Sequence, residues 1–265
     1  MLLERVCPLT EEPGLTDPSP GPWDSSSQKH EELVHKLCDL TLHGRLYLAP
    51  VSEPTAVIHI GPGTAVWTRA LAKSHPQSLI LSPSTLSLPP NPLTPKPTLI
   101  HIRSLAPALA APSLRALYAS ALAHLAPGGF LEQLECSVHL RNADGTLSAE
   151  PALALWSRRA IAFGGLTGRT WEVAENMAGL VREAGFEGVA ERRFRWGVGG
   201  EGEVGRGNLL RWEEGVEDWV LDEYEKCFPE SRKQLLSWLA DVRAALRSRD
   251  CQVYQEVRVV YARKP

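Results

Sequence analysis

The stretch Val57–Trp67, VIHIGPGTAVW, has the pattern of a buried strand that runs through a glycine turn into a helix. Gly61 and Gly63 permit a tight turn, and the first turn of the following helix has unpaired backbone N–H groups. Nucleotide-type ligands bind at such turns, because glycine lets the backbone approach the ligand closely. The same glycines are also expected in a turn that only joins a strand to a helix, so the motif alone leaves both interpretations open.

On both sides of this stretch, strand and helix patterns alternate. Short apolar runs predict strands, and apolar residues at helical spacing predict the helices between them. The predicted strands are 56–60, 79–81, 98–102, 130–136, 189–196 and 253–261, and the predicted helices are 31–44, 64–74, 114–125, 151–163, 171–184, 208–226 and 230–247. This alternation predicts an α/β protein with a mostly parallel sheet and helices on both faces.

Two segments are too rich in proline for regular structure. Residues 1–28 combine five prolines with serine, threonine and acids, which predicts a disordered arm before a single domain over 29–265. Five more prolines lie between Pro83 and Thr98, where they remove backbone donors and clash within helices. An extended loop is therefore predicted there. The glycine- and glutamate-rich run 197–207 is predicted to be a flexible connection, because its acids would repel an anionic ligand.

Composition excludes several classes of protein. The 265 residues are 43% hydrophobic and 22% charged, with a net charge of −3 and a pI near 6.3. Nucleic acids and membrane surfaces require a basic face that this sequence lacks, and no apolar run approaches the roughly 20 residues that cross a bilayer. Five scattered cysteines without C-x-x-C spacing predict reduced thiols in a cytoplasmic protein and no metal site. We expect a small apolar ligand, while the oligomeric state is not indicated.

Several segments together resemble a known family. In chain order they are TLHGRLYLAP (41–50), IGPGTAVW (60–67), LIHIRSL (99–105), LAPGGFLEQLE (125–135), AGFEGV (184–189) and VYARKP (260–265). They resemble the LaeA-like class I methyltransferases of fungi over about residues 31–265. The resemblance implies a Rossmann-like methyltransferase fold in which S-adenosylmethionine (SAM) lies across the carboxyl ends of the first strands.

The chain departs from this family at the positions that would hold SAM. His59 replaces an acid at the end of the first strand, Ala65 replaces a third glycine, and Ile80 replaces the aspartate that binds the ribose hydroxyls. The family's third strand would fall in the proline-rich loop, so one strand region is predicted to be deleted. Losing two or three hydrogen bonds of about 1.5–3 kcal/mol each would weaken SAM binding by roughly three to six decades. We therefore expect a degenerate site in which Gly61, Gly63 and Ile80 are vestigial and no cofactor is used.

Candidate active-site residues come from strand ends and one helix face. His101 ends a central strand, where ligands bind in such sheets, and Arg159 lies on a helix, so both are candidate donors to a substrate carbonyl. Glu135 is a candidate base or a paired carboxylate, and Arg103 is interpreted as the partner of a nearby acid. The candidate residues that line a pocket for an apolar substrate are His59, Trp67, Trp156, Trp171 and Trp196. Core packing explains a buried histidine about as well, and it explains the helical stripe of Trp156, Arg159 and Phe163 more often than ligand contact does.

These features together predict a SAM-independent enzyme of fungal secondary metabolism. It would catalyse an intramolecular cyclisation or a Diels–Alder type pericyclic reaction, because such chemistry requires only walls that orient the substrate and a donor to its carbonyl. Two alternatives remain, namely a SAM-dependent methyltransferase of a secondary metabolite and a non-catalytic regulatory partner. No Ser-His-Asp or Cys-His arrangement supports nucleophilic hydrolysis.

Overall fold

The computed structural model describes residues 25–61, 65–83, 88, 94–106, 109–143, 147, 150–217, 232–248 and 252–265. The strands in this part of the chain are β1 (Ala56–Ile60), β2 (Leu79–Leu81), β3 (Leu99–Arg103), β4 (Phe130–Arg141), β5 (Glu187–Gly197) and β6 (Tyr254–Arg263). They form one sheet in the order β2-β1-β3-β4-β6-β5. The strands β2, β1, β3 and β4 are parallel, whereas β6 runs antiparallel to both of its neighbours. The predicted α/β, Rossmann-like methyltransferase fold is therefore confirmed.

Helices cover both faces of this sheet. They are α1 (Ser25–Thr41), α2 (Val66–Ser74), α3 (Ala111–His124), α4 (Pro151–Thr167), α5 (Val173–Glu183), α6 (Glu203–Gly215) and α7 (Arg232–Arg247). The isoleucines of β1 and β3 pack against α3 and α5 on one face. On the other face, α2 packs over β1 and β3, and α1 packs over β4 and β6. Burial on both faces explains why β1 and β3 are continuously apolar rather than alternating.

A separate apolar cluster lies beside the end of the long strand β4. It joins α4, α6 and α7 through tryptophans and leucines, and it also includes Val138 and Leu140 of β4. Strand β4 extends beyond its predicted end at residue 136 because it continues to pair with β6 as far as Tyr254, past an irregularity in register. None of the helices in the described ranges is long and apolar enough to cross a membrane.

Three sequence predictions differ from the structure or lie outside it. Helix α1 begins at Ser25, so the last residues of the predicted arm are helical, and residues 1–24 lie outside the described part. Residues 203–207 belong to α6 rather than to a flexible connection, since Glu203 is a favourable acid in the first turn. The described residues between Pro83 and Thr98 include no strand, and most of that segment lies outside the description.

Candidate functional site

The strand order creates a crevice between β1 and β3. From β1 the chain moves outward to β2 and then returns to the opposite side of β1 as β3. Connections on the two sides of such a point diverge, and open α/β sheets bind their ligands in the resulting crevice outside the carboxyl ends of the strands. The candidate site is therefore expected at the ends of β1 and β3.

Three aromatic rings stack at this position. His59 and His101 are register partners on β1 and β3, and Trp67 projects onto them from α2. The ring centroids of Trp67 and His101 are 4.0 Å apart with an interplanar angle of 4°, and those of Trp67 and His59 are 4.5 Å apart. The indole N–H of Trp67 donates to the Leu46 carbonyl at 2.9 Å. All three side chains are buried, so the stack fixes the inner wall of the crevice.

A polar chain continues from this stack into β4. The Nδ1 atoms of His59 and His101 are 3.1 Å apart, and His101 Nε2 lies 3.9 Å from Glu132 Oε1. The other oxygen of Glu132 accepts the backbone N–H groups of Leu48 and Ala49 at 2.7 and 2.5 Å. Glu132 thus ties the segment before β1 to the sheet.

Burial sets the charge of these groups. Burial and then the nearby Arg103 lower the pKa of His59 to about 3, and burial is also the main reason why the pKa of His101 lies well below its ordinary value. Both imidazoles are therefore neutral at pH 7, and the Nδ1–H of one ring donates a hydrogen bond to the Nδ1 of the other. Burial raises the pKa of Glu132 from 4.5 to about 7. Its Oε1 is buried without a hydrogen-bond partner in the described part of the chain.

Arg103, at the end of β3, is the buried cation of the site. It is 2% exposed, its Nη1 donates to His35 Nδ1 at 3.2 Å, and it hydrogen-bonds the Cys38 thiol. Burial raises the pKa of Cys38 to about 11, so this thiol is neutral. Among the described residues Arg103 has no carboxylate partner, and its buried Nε has no hydrogen-bond acceptor. The expected pairing of Arg103 with an acid is therefore not found there.

A cleft opens between α1 and these strand ends. It has an empty volume of about 250 Å³, part of which is open to solvent. Residues that line it include His35, Leu42, Trp67, His101, Arg103 and Leu134. The contribution of α1 comes from a stripe at helical spacing, in which His35, Cys38 and Leu42 are three or four residues apart.

The glycine turn lies against the same strand end. A Cβ atom on Gly61 would be 2.9 Å from the Arg103 carbonyl oxygen and 3.2 Å from the His59 ring, so packing alone requires glycine there. Ala65, at the position of the family's third glycine, has φ 55° and ψ 14°, which is the left-handed conformation that favours glycine. Gly63 lies outside the described residues.

The described residues of this turn fit SAM in part. The sharp turn and the start of α2 are where a class I methyltransferase would hold the methionine part of the cofactor. Ile80 on β2 packs with the apolar cluster of β1 and α2 and provides no carboxylate for a ribose. The predicted degeneracy of the site stays a prediction, because residues 62–64 and 84–87 would complete it and lie outside the described part.

Glu135 lies on the opposite face of β4 from Glu132. One of its oxygens accepts the N–H of Leu105 at 2.7 Å and the side-chain amide of Gln133 at 2.9 Å. The other accepts the N–H of Ala106 at 3.4 Å, and burial raises the pKa of Glu135 to about 7. These bonds fix the turn after β3. Its predicted role as a base remains untested.

The other predicted residues lie in different places. Trp156 and Trp171 belong to the cluster of α4, α6 and α7, where Arg159 lies over the Trp238 ring at 4.5 Å. Trp196 packs under α1 and donates its N–H to the Thr41 hydroxyl at 2.7 Å. The structure thus brings His59, Trp67 and His101 together and places the remaining candidates elsewhere, so their roles stay predictions.

His35 and Cys38, which line the cleft from α1, were not selected as site residues by the sequence analysis. The prediction of this helix used only the apolar residues at helical spacing. The residues beside that apolar stripe were the available signal. Its meaning depends on Arg103, which lies 68 residues from His35 along the chain.

Comparisons with known proteins find relatives that are named methyltransferases. No family model matches the chain. It is 27% identical to methyltransferase pytC of Aspergillus terreus over 93% of this chain and 83% of that relative. It is 28% identical to probable methyltransferase tdiE of Emericella nidulans over 88% of this chain and 80% of that relative. Among solved structures, geranyl diphosphate methyltransferase in complex with SAM is similar over 93% of both chains, with 11% identity and a TM-score of 0.48.

These comparisons contradict one prediction. The relatives reported above are named methyltransferases, and a methyl transfer requires a methyl donor. The prediction that the protein uses no cofactor is therefore wrong. The error arose because each replaced side chain was treated as a lost contact, whereas backbone groups of a glycine turn bind a ligand without any particular side chain.

Proposed function

We propose that this protein is a SAM-dependent methyltransferase that acts on a small organic acceptor of fungal secondary metabolism. The observation that carries the proposal is the position of the cleft at the carboxyl end of β3, where Arg103 lines the cleft and its carbonyl lies against Gly61 of the glycine turn. Relatives of the chain that are named methyltransferases, each matched over most of its length, support the same activity. The predicted cyclase activity has no comparable support.

The residues of the site would contribute mainly by positioning. When bound, SAM supplies a methyl group that is activated by its sulfonium charge. Trp67, stacked on His59 and His101, provides a rigid wall, and Glu132 fixes the segment before β1 that flanks this wall. Rigid walls raise the rate of a transfer reaction because they hold the reacting atoms in line and exclude competing water.

The direct test of cofactor binding restores a family residue. We expect the substitution Ile80→Asp to tighten binding of S-adenosylhomocysteine by about tenfold to a hundredfold, because an aspartate at this position would accept hydrogen bonds from the ribose hydroxyls. Titration calorimetry measures the dissociation constants. Leu79→Asp on the same strand is the control, since Leu79 is 50% exposed and no change in affinity is expected. A gain in affinity cannot be attributed to misfolding.

The activity is tested with the natural acceptor. A host strain that lacks the gene should accumulate this acceptor, so its extract is incubated with the purified protein and SAM labelled in the methyl group. We expect a labelled product by chromatography and mass spectrometry. Gly179→Ala, in an open position on α5, should retain full transfer, whereas Gly61→Ala should lose it. Unlabelled products together with no affinity for S-adenosylhomocysteine would contradict the proposal.

A further inference from the structure

We propose that the cleft between α1 and the end of β3 binds an organic acid, with Arg103 as the cation that pairs with its anionic group. This inference rests on the proposed function and identifies the acceptor as a molecule with one acidic group on an apolar body.

The first argument is the uncompensated charge of Arg103. Buried cations in proteins are normally paired with an anion, because leaving water is costly for an ion. Arg258 follows this rule, since it is 8% exposed and lies within ion-pair distance of Glu175, Glu191 and Glu256. Arg103 is more deeply buried, and its partners in the described chain are a neutral imidazole and a neutral thiol. A ligand with negative charge would supply the missing partner.

The second argument is the direction of the hydrogen bonds. A guanidinium only donates, so His35 Nδ1 must accept from Arg103, and the proton of a neutral His35 is on Nε2. His35 is neutral at pH 7, since burial and then Arg103 lower its pKa. His35 thus accepts from Arg103 without neutralising its charge, and the buried Nε–H of Arg103 has no acceptor in the described residues. This donor matches an oxygen that only accepts, as in a carboxylate or an ionised enol.

The third argument is the chemistry of the walls. Beside Arg103 the cleft is lined by Leu42, Leu46, Leu134 and Trp67, with Asp39 and Arg45 as the other charged residues of the lining. The enclosed part of the cleft is small, so it would hold only the acidic end of the acceptor. Apolar walls do not suit the zwitterionic methionine end of SAM, whose ammonium group would find Asp39 as the single carboxylate of the lining. We therefore assign the anion to the acceptor rather than to the cofactor.

The test uses two probes of nearly the same size and shape, of which one is an anion and the other is a neutral amide. Binding of 1-naphthoate and of 1-naphthamide to the full chain is measured by calorimetry, and the His35 ring nitrogens are followed by NMR. We expect saturable binding of the acid, a shift of His35 Nε2, and at least about tenfold weaker binding of the amide. Arg103→Met should abolish the preference for the acid, and Arg103→Lys should restore part of it.

Arg115→Met is the matched control, because Arg115 is exposed on α3 and paired with Glu183. It should leave both affinities unchanged. The proposal is overturned if the wild-type protein does not bind the acid, if it binds acid and amide equally, or if Arg115→Met has the same effect as Arg103→Met. The acid and amide comparison needs no variant, so poor folding of Arg103→Met would not prevent a decision.

A competition experiment separates the acceptor from the cofactor. If the acid belongs to the acceptor, saturation with S-adenosylhomocysteine leaves naphthoate binding intact, and Arg103→Met keeps its affinity for S-adenosylhomocysteine. Mutual exclusion together with loss of that affinity would assign Arg103 to the cofactor and overturn the inference. Naphthoate binding without any affinity for S-adenosylhomocysteine would leave the acid site standing and refute the methyltransferase proposal instead.

Discussion

Two groups of packed aromatic rings in this molecule both contain tryptophan, but they differ in polarity and in position. At the ends of β1 and β3, Trp67 stacks on two histidines beside a cleft that also contains a buried arginine, Arg103, which has no carboxylate partner among the described residues. Between α4, α6 and α7, Trp156 packs with other tryptophans in an apolar cluster. The first group holds titratable atoms at a ligand crevice, whereas the second fills space. Tryptophan content alone therefore indicates nothing about substrate binding.

Backbone strain also differs between the crevice and the tryptophan cluster. Ala65 and Ser104 have positive φ angles of 55° and 56°; Ala65 directly precedes α2, and Ser104 directly follows β3. In α4 of the tryptophan cluster, the left-handed position at the helix end is occupied by Gly168, which adopts it without strain. Strained residues persist where the surroundings hold them in place, and this often happens at binding sites.

The largest expected effect tests the tryptophan cluster as a purely structural element. Trp156→Ala should lower the free energy of unfolding by about 3–5 kcal/mol, because it leaves a cavity at a fully buried position. Urea denaturation measures the loss. The affinity of the remaining folded protein for S-adenosylhomocysteine should be unchanged. Leu166→Ala on the same helix is the control, since Leu166 is 56% exposed and should change stability by less than about 0.5 kcal/mol. If Trp156→Ala lost affinity for S-adenosylhomocysteine while its stability stayed normal, Trp156 would be part of the binding site and this prediction would be wrong.

The next prediction concerns Glu132, the buried carboxylate beside the crevice, and the dependence of stability on pH. The folded pKa of Glu132 is about 7 and its ordinary value is 4.5, so the folded state favours the protonated form. The stabilisation that protonated Glu132 provides is fully present below pH 4.5 and is lost as pH rises through 7. Relative to Glu132→Gln, the wild-type protein should therefore lose about 3 kcal/mol between pH 4 and pH 8.

Urea denaturation across this pH range gives the difference between the two proteins. Trp156→Phe serves as the comparison, because it changes no titratable group and its difference from the wild type should not vary with pH. A flat difference curve for Glu132→Gln would mean that the carboxylate is solvated or paired in solution.

The sequence predicted the strands better than the candidate site, for a physical reason. Strands β1 and β2 have the predicted bounds because short apolar runs between turn residues determine them locally. The positions of His101 and Trp67 beside the cleft were predictable because strand ends and the glycine turn are also local features. The partners of Arg103 were not predictable, because they depend on how α1 packs over the sheet. The tryptophans were predicted to form a single lining, whereas the structure places them in separate clusters, and burial in separate clusters leaves no local signal.

The histidines should produce the opposite pH dependence from Glu132. The folded pKa of His59 is about 3 and its ordinary value is 6.5, so the folded state favours the neutral ring. This stability is present above pH 6.5 and is lost as pH falls towards 3. Relative to His59→Phe, which keeps a stacked ring, the wild-type protein should lose about 2 kcal/mol between pH 7 and pH 5. Thermal or urea denaturation at both pH values measures it, and equal stability differences would show that His59 is open to water.

The smallest effect tests whether the crevice stores backbone strain. Ala65→Gly should raise the free energy of unfolding by about 1 kcal/mol, because glycine adopts φ 55° without the steric cost that a Cβ imposes. Ala70→Gly, within the same helix α2, is the matched control and should lower stability by a similar amount, since glycine weakens a helix interior. Opposite signs for the same substitution five residues apart would locate the strain at the ligand turn. Equal losses at both positions would mean that Ala65 is helical in solution and that the turn has lost the conformation of a glycine site.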